Sequence, residues 1–123
     1  MSGRLCGVIL VARPGRMYAS LRVMLKSLFP QAQIRQTEDL LSVRLFLTAG
    51  RPLLVLVDAG LPRDEGWHIA AEVKQNYPLH HAILLAHHPQ QVERACQAGW
   101  DVLLLEGMTA VGLSAAIGRF LEN

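Results

Sequence analysis

The sequence predicts an α/β fold, an open parallel sheet of five strands with five helices shared between its two faces. Two observations predict it. Short runs that are apolar throughout, such as LCGVILVA at residues 5 to 12, LLVLV at 53 to 57 and AILLA at 82 to 86, alternate with longer segments whose apolar residues recur every three or four positions. Strands that are apolar on both sides belong to parallel sheets covered twice, and short strand-helix spacings imply repeated right-handed crossovers.

The elements follow in order. Residues 5 to 12 are rich in β-branched types and end at Pro14-Gly15, so they form the first strand. From Arg16 to Phe29, Met17, Leu21, Met24, Leu25 and Leu28 share one helix face, and Pro30 closes the helix. The segment from Ala32 to Thr37 is short and weakly apolar, which suits an edge strand. Thr37 then stands as N-cap of the helical run DLLSVRLFLTAG, which Gly50 and Pro52 end. Leu53 to Val57 is the central strand. GWHIAAEVKQNY is the third helix, stopped by Pro78. Ala82 to Ala86 is the fourth strand, and Pro89 suits a first helical turn. VERACQAG makes a short helix ending at Gly99, DVLLL the fifth strand and TAVGLSAAIGRFLEN the last helix. Thr109 caps that helix, and Leu113, Ala116, Ile117, Phe120 and Leu121 form its stripe.

With 123 residues, 51% of them hydrophobic and 18% charged, the chain suits one packed core rather than a disordered tail, and residues 1 to 123 read as a single domain. No apolar run reaches the roughly 18 residues of a membrane helix, and MSGRLCGVILVARPGR breaks too early for a signal peptide, so a cytoplasmic protein without membrane contact is expected. Cys6 and Cys96 lack metal or disulfide spacing and read as small buried hydrophobes. A formal charge of +2 is far below a nucleic-acid-binding surface. Arg4, Arg13, Arg16, Arg22 and Lys26 nevertheless make the first quarter locally basic, as a solvated helix face or as a face for an acidic partner.

In open α/β sheets, sites collect outside the carboxyl ends of the strands, which places Arg13, Asp58, His87 and Glu106 near one rim. A strand-end carboxylate such as Asp58 is held rigidly and can serve as a nucleophile toward phosphorus. The competing role is a turn aspartate bonding nearby amides.

The pattern Asp58, Leu61-Pro62, Gly66, with Ala98-Gly99 before the fifth strand, resembles the response-regulator receiver domain of two-component signalling, over residues 5 to 122. The resemblance implies a flavodoxin-like three-layer sandwich with strand order 2-1-3-4-5, and a phosphorelay in which Asp58 holds the phosphoacceptor position. It also implies departures. The acidic pair that helps bind Mg²⁺ in the family is Ala12 and Arg13 here. The Ser or Thr ending strand four is Ala86, the Lys after strand five is Glu106, and the following Pro is Gly107. The family's switch aromatic is Leu103. Mg²⁺ is usually held by carboxylates, phosphate and waters, and phosphoryl transfer depends on positioning and electrostatics. Loss of metal ligands, lysine and hydroxyl together therefore implies a degenerate receiver, a pseudo-receiver. In it, an Arg13-Asp58 ion pair is expected to fix one conformation.

His80-His81 and His87-His88 flank strand four, and six residues at about 3.3 Å each separate the pairs by about 20 Å, which excludes one shared metal site. His87 or His88 can still sit beside Asp58. Trp67 and Trp100 are expected to pack at the core or rim, and ARPGRMYAS is no phosphate-cradling motif.

Three readings follow. The first is a receiver-type signalling module acting by protein contact, with no catalytic residue and no metal, its partners a histidine kinase or another signalling protein, with a fused output domain or a homodimer compatible. The second is a still-active Asp58 switch, the one case that calls for Mg²⁺. The third is a flavodoxin-like domain binding a small ligand near Asp58, His87 and Glu106.

Overall fold

The computed structural model describes residues 7–48 and 53–121, with side chains as far as residue 118. Five parallel strands, β1 (Gly7–Val11), β2 (Gln33–Thr37), β3 (Leu53–Asp58), β4 (His81–Ala86) and β5 (Val102–Leu104), pair in the order β2-β1-β3-β4-β5. Between and after them run α1 (Arg16–Leu28), α2 (Leu40–Leu47), α3 (Glu65–Asn76), α4 (Pro89–Gln97) and α5 (Ala110–Leu121). This is the parallel sheet covered on both faces that the strand-helix alternation predicts, with the flavodoxin-like strand order that the resemblance implies.

Alternation along β1 explains the two layers. Val8, Leu10 and Ala12 pack with Leu21 and Leu25 of α1 and with Leu113 and Ile117 of α5. Ile9 and Val11 face Val43 and Leu47 of α2, Ile69, Ala70 and Val73 of α3, and Ala95 of α4. The inner strands β3 and β4 contribute to both layers, which is why they read as unbroken apolar runs. β2 lies at an edge, where its residues are only half-buried or exposed.

Several local details differ from the sequence expectation. The α2 cap is Asp39, whose Oδ1 accepts the Ser42 N–H at 2.8 Å; Thr37 remains the last residue of β2, paired with Val11. Hydrogen bonding to the Ser42 N–H holds the Asp39 carboxyl below its ordinary range. In α1 the buried stripe is Tyr18, Leu21 and Leu25, whereas Met17 is 48% exposed. Cys96 is exposed, because Ala95 is the α4 residue turned into the core. A 3-10 turn at Pro62–Asp64 precedes α3, whereas α4 begins at Pro89, in the first helical turn expected for it, and ends at Gln97, short of Gly99. Thr109 does cap α5, accepting the Gly112 N–H at 3.0 Å. The expected start of the first strand with Cys6, the Gly50 and Pro52 terminator, Arg4, and the Phe120 and Leu121 side chains lie outside the described residues.

His80 closes the base of the sheet. It is buried at the foot of β4; its Nδ1 accepts the Leu53 N–H at 3.0 Å, and its Nε2–H donates to the Leu47 carbonyl at 3.1 Å. One imidazole thereby ties the end of α2 to the start of β3. This arrangement needs the neutral ring, and burial pushes the His80 pKa down accordingly.

Candidate functional site at the carboxyl ends of β3 and β4

Asp58 is the last residue of β3 and is 8% exposed. Its carboxylate is held by two donors: the Gly60 N–H and the His87 Nε2–H each reach Oδ1 at 2.7 Å. Because an ionised carboxylate only accepts, these contacts assign the proton of His87 to Nε2. The Tyr18 oxygen lies 3.1 Å from that same nitrogen, so it shares the proton as a second, longer acceptor. Burial first, then the charge of nearby Asp58, push the Tyr18 phenol far above its ordinary value, so it keeps its proton.

Local backbone explains why these groups meet. Gly60 allows the turn to fold over the carboxylate: a Cβ there would stand 3.2 Å from both Asp58 Oδ1 and His87 Cδ2. Gly66 allows α3 to begin directly against β3, since a Cβ there would overlap the Asp58 carbonyl oxygen. His87 follows the last residue of β4, and its backbone N–H is fixed by Gln91 Oε1 at 2.6 Å in the first turn of α4.

The remaining predicted positions contribute no charged or hydroxyl group to Asp58. Ala12 and Ala86 are fully buried at the ends of β1 and β4. Glu106 is exposed beyond β5, and Gly107 takes a left-handed φ of 73°. Leu103 is buried in β5.

The expected Arg13-Asp58 ion pair is not formed. Arg13 is exposed and its Nε lies 3.7 Å from Glu38 Oε1. Pairing of Val11 with Thr37 brings the segments that follow β1 and β2 side by side, so Arg13 meets a carboxylate in water without being desolvated, a cheaper arrangement than entering the buried site. His87, which the sequence places within reach of Asp58, takes the position instead. Tyr18 was missed, because its place one residue beyond Met17 shifts the apolar stripe of α1; a polar tip on a helix facing the strand ends is the signal that identifies it.

As a donor set for Mg²⁺ these residues fit poorly. The ion prefers six oxygens and generally takes one or two carboxylates with phosphate and waters. Asp58 brings the site's one carboxylate, and Oδ1 already accepts two N–H donors. Among the described residues no group of three His, Cys, Asp or Glu side chains is placed to hold a metal ion.

Histidine geometry elsewhere agrees with separate sites: His80 and His81 lie at the foot of β4, His87 and His88 beyond its head. His68 is exposed on α3. Trp67 is buried beneath the Arg94 guanidinium, 4.0 Å from the ring centre, and Trp100 packs under Lys74 at 4.8 Å.

Solved structures resemble this architecture closely. The signal receiver domain of an HD domain-containing protein from Pseudomonas fluorescens Pf-5 matches with 26% identity over 97% of this chain and 96% of that one, with a TM-score of 0.73. A CheY-like response regulator receiver domain protein from Methanospirillum hungatei JF-1 matches over 97% of this chain and 95% of its own, at 16% identity and a TM-score of 0.71. The chain has the receiver-domain fold of response regulators. A structure described as adenylate cyclase from Rhodopirellula baltica also matches, at 16% identity over 97% of this chain and 89% of that one, with a TM-score of 0.74; this likeness is one of fold. No protein-family model and no curated protein matches the sequence. Within the receiver fold, Asp58 ends the third strand, and no described helix is long and apolar enough to cross a membrane.

Proposed function

We propose that residues 1 to 123 are a receiver-like signalling domain of a two-component or phosphorelay response regulator that acts by protein contact, with Asp58 keeping the acceptor's place without accepting a phosphoryl group. The observation that carries this reading is the closed state of Asp58. Oδ1 is taken by the Gly60 N–H and by the His87 Nε2–H, each at 2.7 Å. The positions at which the resemblance calls for an acidic pair, a hydroxyl and a lysine hold Ala12, an Arg13 turned to Glu38, Ala86 and Glu106. A phosphoryl group carries close to two negative charges and needs pre-placed positive groups for its transfer. At this rim it would meet a carboxylate whose Oδ1 already accepts two N–H groups, and a further anion, Glu106.

On this reading the domain is not an enzyme and uses no cofactor. Its partners are a histidine kinase or another signalling protein, with an output domain or a second copy of the chain fitting the same role. It works in the cytoplasm without binding nucleic acid or membrane itself.

The test is titration with beryllofluoride in 10-fold excess Mg²⁺, followed by the fluorescence of Trp67, whose neighbour Gly66 packs on the Asp58 carbonyl, and by amide NMR shifts. No saturable change is expected. A saturable, Mg²⁺-dependent shift centred on Asp58 and Ala86 would establish the active-switch reading in its place. A small molecule retained near Asp58 and His87 after purification would favour the ligand-binding reading.

A further inference from the structure

Six of the twelve basic side chains and none of the ten acidic ones fall within residues 1 to 37; Glu38 is the first carboxylate in the chain. The topology turns this sequence asymmetry into a surface. β2, β1 and α1 form one side of the sandwich, with β2 at the sheet edge, whereas Asp64, Glu65, Glu72, Glu93, Asp101 and Glu106 belong to segments from β3 onward. Residues 1 to 37 thus carry a formal charge of +6 and residues 38 to 123 one of −4, which together make the chain's +2.

The outer face of α1 combines that charge with apolar surface. Arg16, Ala19, Val23 and Lys26 advance by three and four residues and so share one stripe, with Arg22 beside it. Val23 is 70% exposed, an unusual position for a β-branched side chain on a helix that already buries its opposite face. Ala19, Val23 and the half-buried Ile34 of β2 line an open groove of about 430 Å³ whose sides carry Arg22 and Lys26. Among the described residues neither Arg16 nor Arg22 meets a carboxylate. The ion pairs of the described surface lie elsewhere, at Arg13-Glu38, Arg44-Glu72 and Arg94-Asp64.

We infer that the groove between α1 and β2 is a docking surface for an acidic amphipathic protein segment, a helix whose apolar side chains sit on Ala19, Val23 and Ile34 while its carboxylates meet Arg16, Arg22 and Lys26. Charge complementarity selects the sign of the partner, since cationic rims without intervening anions favour an anionic ligand and speed its encounter. The apolar floor selects its class. Nucleic acids are held by cations with polar groups or aromatic stacking platforms, and the described floor offers aliphatic carbon instead. A helix that places leucines at three- and four-residue spacing fits a groove of this kind. The inference deepens the protein-contact reading and rests on it only in requiring that the domain work through contact; it makes no use of Asp58.

The experiment uses the full chain and a synthetic helical peptide with leucines at i, i+3, i+7 and glutamates on the flanks. Binding is measured by anisotropy at two salt concentrations and mapped by amide NMR shifts. Expected are shifts confined to α1 and β2, weaker binding at high salt, and affinity lowered about tenfold or more in R22E/K26E. Val23→Ser, on the solvent side of the helix, is expected to weaken binding severalfold while leaving circular dichroism unchanged. Failure of the peptide to bind would overturn the inference. So would binding of polyglutamate or of a single-stranded oligonucleotide that equals the peptide's and ignores Val23→Ser, or preferential binding to vesicles containing phosphatidylglycerol. A beryllofluoride response leaves this result untouched, and peptide binding leaves the Asp58 result untouched, so the two readings fail separately.

Discussion

His87 Nε2 stands 2.7 Å from Asp58 Oδ1, as close as the backbone N–H of Gly60, so the ends of β3 and β4 are joined through one carboxylate. The contact is partly buried: the Asp58 side chain is 11% exposed and that of His87 25%. A hydrogen bond to a charged acceptor in such a place contributes more than one in water. The variants His87→Ala, Asp58→Asn and the double variant form a cycle whose expected coupling is about 1–2 kcal/mol, measured by urea unfolding. His87→Ala also removes the ring beside Gly60, while Asp58 keeps the Gly60 N–H. Additive single effects would mean that the pair contributes nothing to the fold.

Gly66 is required by a steric relation rather than by flexibility. Its Cβ would collide with the Asp58 carbonyl oxygen, a backbone atom that can move only if β3 and α3 separate. Gly66→Ala is therefore expected to cost about 2–3 kcal/mol or to prevent folding. Gly15, the α1 cap, has nothing within 4 Å of the added atom and an extended φ of 175°. Gly15→Ala is expected to lose only cap preference, below about 1 kcal/mol. Thermal or urea unfolding of the two variants side by side checks the contrast.

These two glycines also mark how far the sequence could be read. The order of the strands and the place of Asp58 were legible because an apolar strand, a carboxylate and a glycine eight residues on form a local pattern. Tyr18 was not. Burial of Tyr18, Leu21 and Leu25 instead of Met17 depends on the angle at which α1 lies on the sheet, which helical spacing alone leaves open. The partner of Arg13 was likewise hidden, since Glu38 reaches it only through the pairing of β1 with β2. Asp39, rather than Thr37, caps α2 because β2 runs on to Thr37 before the chain turns. His87 is a residue that the sequence allows beside Asp58, but its role as a donor to Oδ1 depends on how β4 lies in register along β3.

Stability should depend on pH through His80. Its folded pKa lies below the ordinary value near 6.5, because the neutral ring is buried between Leu53 and Leu47. The unfolded chain therefore binds more protons in the window below about 6.5, and stability rises with pH through it; the contribution is complete above about 6.5 and is lost as pH falls toward the folded pKa. His80→Leu leaves the Leu53 N–H and Leu47 carbonyl without this partner and is expected to cost about 1–3 kcal/mol at pH 7.5. The gap between the two proteins should narrow at pH 5.5, because only the wild type loses the His80 contribution. A gap of constant size across that range would show that His80 does not titrate between the folded and unfolded states.

Arg94 links α4 to α3 by two different interactions. Its guanidinium stacks on Trp67 at 4.0 Å from the ring centre and holds both oxygens of Asp64 at 3.4 Å. Arg63 and Asp64 have φ of 57° and 56°, left-handed values that residues with a Cβ adopt at some cost, so the Arg94 contact falls on a strained turn. Arg94→Ala uncovers a ring that is otherwise buried. It is expected to shift Trp67 emission to the red, read in a Trp100→Phe background, with a stability loss of about 0.5–1.5 kcal/mol. Arg94→Lys keeps the charge but lacks the planar fork that both stacks and reaches two oxygens, and it should restore only part of the emission and of the stability. Complete rescue by lysine would assign the link to charge alone, and an unchanged spectrum in Arg94→Ala would show that the guanidinium does not cover the indole in solution.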